Sequence, residues 1–539
     1  MTTPAPTPAG EAPSAGTNRT AAAGVAGAAA LITGLTVLAR LAGFGRTFVV
    51  ARTVGDGALA NIYNAANTIP NIVFELVAGG ALAGLVVPLL AGAVAQGDRQ
   101  RVGAVASALL TWVLTLLVPL AVLVALLAGP IAGLFDVPPE QQEVAARMLR
   151  IFAPQLPLYG IGIVLTGVLQ AHHRFAWPVL APLLSSVTVM AAYLSYALVD
   201  GARSDLAGLS RTGELILSAG TTAGVVVLAL CLLVPLRRLR LRWRPAYGFP
   251  GDEGRRALRL GWAGAVTVGS QQVMVVVVMA LAVAGPLALY TYAQTVFLLP
   301  WAVLAVPLAT AVYPRLAAAV DQGDEQAYAA QLSNAARSIT LLACLGAAAL
   351  AALAGPAAII VGAPGMAPGI VGFAPGLLGY ALFALLSRAL YARGATVAAA
   401  GATAAGWGVA AVAAVVLSAL VSEQRQVAGL GAANAIGMTV LGVLLALAVR
   451  RKAGPGALGG LPRTAAVGIV AAVVAGVAGW AVVRGLAAAL DPTPGIGVSL
   501  LQGMLGGVVV AVVFAAVVYP LARRDLRPLV SKVSGRFRT

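Results

Sequence analysis

Lysine is almost missing from this chain: of 539 residues only Lys452 and Lys532 are lysines, and histidine and cysteine occur twice each. Acidic residues number 18 and charged residues make up 10% of the total, against about 25% in a soluble domain. Each shortage excludes a class of function. Neither lysine sits in a G-x-x-x-x-G-K-[ST] setting, so no P-loop for ATP is expected. His172 and His173 are adjacent, where a metal site wants ligands three or four residues apart and carboxylate partners. Cys231 and Cys344 lie in separate apolar runs and read as packing residues. No serine or cysteine has a plausible base. Covalent catalysis drops out, and neither a cofactor nor enzymatic activity is expected.

What is abundant is apolar surface. Hydrophobic residues are 60% of the chain and the mean hydropathy is +0.93, which points to an all-α polytopic membrane protein. Residues 1–21 have no basic cluster ahead of an apolar core and read as a disordered cytoplasmic tail rather than a signal peptide. Runs long enough to span the hydrocarbon layer, cut at charges and Pro/Gly turns, number about fourteen. They fall near 24–50, 61–92, 102–128, 142–170, 175–199, 214–236, 259–284, 287–314, 328–354, 368–392, 395–420, 427–449, 464–488 and 497–522.

The net charge of +17 comes from 33 Arg and 2 Lys, and its placement explains it. With the N-terminus inside, 24 basic residues fall in cytoplasmic loops and the C-terminal tail, whereas the opposite loops hold only Arg52, Arg203, Arg211, Arg425 and Arg484. Basic loops stay cytoplasmic, so both termini are expected inside a bacterial inner membrane. The surplus charge faces anionic lipid rather than nucleic acid.

Residues 86–98 (VVPLLAGAVAQGD) and 312–324 (VYPRLAAAVDQGD) agree at 9 of 13 positions, an offset of 226. Phe152-Ala153-Pro154 and Leu169 are echoed by Phe373-Ala374-Pro375 and Leu390 at an offset of 221. These echoes predict two parallel six-helix lobes, 22–248 and 249–452, joined by an Arg-rich linker over 237–259. Parallel repeats usually enclose a central substrate path. The last two helices (453–522) lie outside the repeat, followed by a basic cytoplasmic tail, 523–539.

Charges at bilayer depth are expensive and mark function by default. Arg40 and Arg46 lie in the first helix, with Gly43 and Gly45 permitting a kink that aims both inward; Arg52 reads as snorkelling to the outer interface. Among the acids Glu75 alone reads as mid-span, and an ion pair with Arg40 or Arg46 is expected. Asn61, Asn64, Asn67 and Asn71 open the second helix, the last three on one face that would line a polar cavity. Tyr63, Gln271, Gln272 and Gln294 are weaker candidates. Arginine forks suit phosphate, and a nearly uncharged second lobe offers apolar walls. An amphiphile with an anionic head fits this asymmetry.

The run RLAGFGR (40–46), the Thr68-Ile69-Pro70-Asn71 turn, GGALAGLVVPLL (79–90), LQAHHRFAWPVLAP (169–182) and RALYARG (388–394) resemble the MurJ/MviN family, lipid II flippases of the multidrug/oligosaccharidyl-lipid/polysaccharide exporter superfamily. The resemblance implies translocation of an undecaprenyl-pyrophosphate-linked cell-wall precursor by alternating access. It implies that Arg40 and Arg46 hold the pyrophosphate-bearing head, with Glu75, Asn61, Asn67 and Asn71 at the substrate site, and that the last two helices form a groove for the lipid tail. Phe74 and Glu75 stand where many members carry two arginines, which looks like the actinobacterial branch. Gln294 and Thr295 stand where others have an arginine beside an acid. The partners implied are lipid II, membrane lipids and cell-wall synthesis proteins. Flipping of another polyprenyl-linked glycan, a drug/cation antiporter and a non-transporting envelope scaffold are the competing readings.

Overall fold

The computed structural model describes residues 15–77, 83–239, 241, 243–249, 253–490 and 495–521, with side chains from Gly34 onward except at 83–85, 88 and 253–265. Every regular element among the described residues is helical. The first half runs α1 (Ala15–Thr53), α2 (Ala58–Glu75), α3 (Ala83–Ala95), α4 (Arg99–Leu126), α5 (Ala128–Ala132), α6 (Pro139–Phe152), α7 (Gln155–Ala171), α8 (Ala176–Asp200), α9 (Arg211–Leu230) and α10 (Leu233–Arg237). The second half runs α11 (Glu253–Ala282), α12 (Leu287–Pro300), a π-helical stretch (Trp301–Ala305), α13 (Val306–Asp321), α14 (Glu325–Val361), α15 (Ala367–Phe373), α16 (Gly376–Ala392), α17 (Thr396–Leu420) and α18 (Gln426–Ala453). Two further helices follow, α19 (Leu461–Leu490) and α20 (Ile496–Leu521).

Eleven helical segments among the described residues are long and apolar enough to cross a membrane, and α15 with α16 makes a twelfth, bent by 57°. The second and seventh expected spans correspond to α2 with α3 and to α11. The expected tail is shorter than the sequence suggests. Helix α1 already includes 15–21, whereas 1–14 and 523–539 lie outside the described residues.

The sequence echoes are echoes of geometry. Gly97 and Gly323 both take a positive φ (69° and 70°), open to glycine without a steric penalty. The aspartates that follow, Asp98 and Asp324, each cap the next helix by accepting a backbone N–H three residues on, from Arg101 at 2.9 Å and Ala327 at 2.8 Å. At the other offset, Phe152-Ala153-Pro154 and Phe373-Ala374-Pro375 both break a span, and a 17-residue helix follows each break. His173 (φ 57°) then makes the turn that Gly394 (φ 69°) makes in the second copy. The histidine pair is thus turn chemistry.

Small residues let helices of the second half approach backbone to backbone, as membrane helices do where the hydrophobic effect cannot drive association. A Cβ on Gly442 would sit 2.8 Å from the Cα of Gly379, and one on Gly379 would collide with the Met438 carbonyl.

Candidate substrate cavity

Hydrogen bonds between the two halves gather at one end of the bundle. Asn61 is 5% exposed; its amide nitrogen donates to Gly285 O, and its Oδ1 accepts from Ala288 N at 2.8 Å, capping α12 from another helix. Tyr292 donates to Gly55 O at 2.7 Å, with Asn64 close to the same hydroxyl. The Arg52 guanidinium lies over the Phe48 ring, 4.9 Å from its centroid, and donates to Ile360 O at 2.7 Å and Ile359 O at 3.3 Å. Those carbonyls close α14, where the partial negative charge of the helix terminus favours a cation. Gly362 ends that helix with φ 95°. Two expectations change here. Arg52 ties the halves together instead of snorkelling, and Asn61, expected at the substrate site, is a strut between them.

Deeper in, a hydroxyl network fills the first half. Tyr63 OH is 2.8 Å from Tyr193 OH and 2.7 Å from Thr221 Oγ1, all three buried. Beside it, Tyr159 donates to Asn71 Oδ1 at 2.9 Å and packs on Phe74 with ring centroids 4.5 Å apart. Gln155 donates to Thr222 Oγ1 at 3.1 Å, and Asn67 Oδ1 is buried with no hydrogen-bond partner. Arg46 is exposed in this protein-only setting, and its charge reaches Tyr63, Tyr159 and Tyr193. Among the described residues the arrangement brings one guanidinium within electrostatic reach of a set of tyrosine hydroxyls, suited to a phosphate oxygen with neutral neighbours.

Arg40 does not join it. Helix α1 runs without a break from Ala15 to Thr53. Six residues at 100° each leave the two arginines about 120° apart around the axis. Arg40 is exposed and makes no ion pair or hydrogen bond among the described residues. The expected pairing of Glu75 with Arg40 or Arg46 is likewise not made among the described residues, for two reasons. Helix α1 packs chiefly on α8 and α2 on α6, so neighbours in sequence are not neighbours in space. Counting back from the α1–α2 turn at 1.5 Å per residue, Glu75 also lies about 15 Å farther along the bundle than Arg46. It is exposed, and its charge reaches Tyr159 in the first half and Tyr380 in the second.

The second half faces this with rings. Tyr380 stacks on Trp301 (centroids 4.8 Å) and Phe383 (5.6 Å), and Trp301 donates its indole N–H to Tyr380 O at 3.1 Å. Gln271 comes within reach of the Tyr380 side chain; Gln272 is buried, and Gln294 stands 3.5 Å from Tyr290 OH. Behind them, an apolar cavity of about 870 Å³ opens between α14, α16, α18 and α19, with Leu378, Leu382, Val443, Ile469 and Trp480 among its walls. Helix α20 does not line it. It packs behind, against α14 and α19, through Val510, Phe514 and Val518.

Several residues carried no sequence signal. Tyr159, Tyr193 and Thr221 look like ordinary span residues until the fold gathers them. Glu214, at the very start of a span, is 2% exposed and holds Arg147 through two oxygens, at 2.8–3.1 Å, with Arg211 at 3.0 Å. Glu214 is thus an acid buried at the end of a span, not in its middle.

A family profile described as "Lipid II flippase MurJ" matches residues 50–489. A probable lipid II flippase MurJ of Synechocystis sp. is 28% identical over 234 residues, 42% of this chain and 43% of that protein. One of Rhizobium meliloti is 28% identical over 329 residues, 59% of this chain and 60% of that protein. The chain thus spans from 43% to 60% of the length of these curated relatives. A solved lipid II flippase MurJ in an inward closed conformation shares the fold, with a TM-score of 0.69 over 91% of this chain and 99% of that one at 17% identity. By a match that runs through most of its length, the chain belongs to the lipid II flippase MurJ family.

Proposed function

We propose that this protein is a transporter that carries lipid II from the cytoplasmic to the outer leaflet by alternating access of two lobes, 22–248 and 249–452, with no covalent chemistry of its own. The observation that carries the reading is the pairing of a cation, Arg46, whose charge reaches a buried hydroxyl network, with an 870 Å³ cavity in the second lobe whose walls are apolar. That is the polarity of an amphiphile with an anionic head. The head group's phosphates sit at Arg46, and the polyprenyl chain enters the apolar cavity along α19. Asn71 positions Tyr159.

The charge distribution supports a cytoplasmic side for both termini and the segment 237–244. The end tied by Arg52, Asn61 and Tyr292 is then the outer one, so this conformation is closed outward. A ligand shifts a two-state equilibrium only by what it binds better in one state. Contacts of the head group with Arg46, and with both lobes at once, supply that difference.

The test is depletion in the native host followed by radiolabelling of wall precursors. Accumulation of lipid II in the inner leaflet supports the reading. Normal leaflet distribution with unimpaired wall synthesis overturns it.

A further inference from the structure

Glu75 has the wrong sign for the head-group phosphates. It is exposed at the end of α2, makes no ion pair among the described residues, and its charge reaches Tyr159 in one lobe and Tyr380 in the other. A carboxylate repels a pyrophosphate, so whatever meets Glu75 donates hydrogen bonds without bringing negative charge.

Its neighbours narrow the chemistry. Phe74 and Tyr159 form one ring platform (4.5 Å), and the Tyr159 hydroxyl is held by Asn71 at 2.9 Å. In the second half, Tyr380 is buried in a ring stack with Trp301 and Phe383, both of which are partly exposed. The repeat offset of 226 makes Trp301 the counterpart of Glu75. Glu75 is followed by the π-helical residues Leu76 and Val77, and Trp301 begins the π-helical stretch Trp301–Ala305, a backbone feature frequent at functional sites. One lobe thus presents an acid where the other presents a ring. Aromatic faces take the C–H surface of a pyranose, and a carboxylate accepts from its hydroxyl and acetamido N–H groups.

We propose that Phe74, Tyr159 and Glu75 form a saccharide subsite beside the Arg46 anion site. This rests on the flippase reading and deepens it: the protein reads the sugars of its substrate as well as the pyrophosphate. Tyr159, within electrostatic reach of both Arg46 and Glu75, is the residue that joins the two subsites.

The test measures binding to the full-length protein in lipid nanodiscs. Three probes are used: undecaprenyl pyrophosphate, the same lipid carrying the disaccharide without peptide, and complete lipid II. The wild type binds the disaccharide lipid about tenfold more tightly than the bare pyrophosphate lipid, equivalent to about 1.4 kcal/mol. Phe74→Leu and Glu75→Gln each bring that ratio close to one while leaving affinity for undecaprenyl pyrophosphate at or above the wild-type value. Arg46→Gln weakens all three probes together. Variants that keep the wild-type ratio overturn the proposal. So does a preference that appears only with the peptide-bearing lipid, which would make Glu75 a reader of the peptide's amine. A wild type that binds none of the probes defeats the flippase reading itself, and this proposal with it.

Discussion

Arg52 offers the sharpest handle on the conformational cycle, because its guanidinium is a single group that spans the two halves. It makes two hydrogen bonds to carbonyls at the end of α14. A charged hydrogen bond contributes about 1.5–3 kcal/mol when shielded from water, and a cation at a helix C-terminus about 0.3–1 kcal/mol. Arg52 is exposed, so the two effects together are discounted to about 1–2 kcal/mol. Arg52→Ala then raises the ratio of outward-open to outward-closed molecules about 5- to 30-fold. A population that starts near 1:99 moves to between about 1:20 and 1:3. Spin labels at Asp56→Cys and Gln424→Cys, in a background without Cys231 and Cys344, report the separation by electron–electron distance measurement. Growth of a longer-distance population is expected, with Arg52→Lys intermediate because it keeps the charge and loses the fork. Asn61→Ala, which removes the cap on Ala288 N and the bond to Gly285 O, moves the distribution the same way. Distributions identical to the parent in Arg52→Ala and Asn61→Ala would refute the assignment of this end as a gate.

Three further outcomes follow from packing and charge. Arg147→Ala leaves Glu214 buried with only the more exposed Arg211 beside it; a loss of about 2–4 kcal/mol is expected, below the full cost of an orphaned buried charge, and thermal melting in detergent will show a clearly smaller loss for the double variant Arg147→Ala/Glu214→Gln. Gly379→Ala, forced against the Met438 carbonyl, destabilises by about 1–3 kcal/mol; Gly401→Ala, with open space at the same atom, melts like the parent. Ala472→Phe fills part of the apolar cavity between α19 and the second lobe; binding of undecaprenyl pyrophosphate is expected to fall severalfold while that of a short-chain prenyl analogue is unchanged, and equal loss for both chain lengths would remove the cavity as the tail site.

The helices were legible because hydropathy is one-dimensional: among the described residues, eleven of the fourteen apolar runs meet helical segments long and apolar enough to span, and a twelfth meets the bent pair α15 and α16. The repeat was legible because Gly97 with Asp98 and Gly323 with Asp324 encode the same turn and cap in residues that few alternatives replace. The polar interior was less so. Arg46 is recognisable as a cation out of place, but a charge carries no record of its partner, and pairing Glu75 with the arginines assumes that the consecutive helices α1 and α2 are neighbours. Packing of α1 on α8 separates them. Asn61 and Asn71 share a helix and a residue type, yet one braces the second half and the other orients Tyr159. Only tertiary contacts distinguish those jobs. Glu214 gives no sequence signal because it sits at a span end by hydropathy, where solvent is the default expectation. The fold buries that end under Arg147.

The most direct test of the whole picture joins site and activity in one assay. In cells depleted of their own lipid II flippase, the fraction of lipid II exposed at the outer face is read with an externally added lipid-II-cleaving enzyme, with the protein or its Arg46→Gln variant supplied in equal amounts. The parent protein restores outer-face lipid II, and Arg46→Gln restores less than about a tenth as much, the effect of losing about 1.4 kcal/mol or more of head-group binding. Full restoration by Arg46→Gln, or none by the parent, contradicts it.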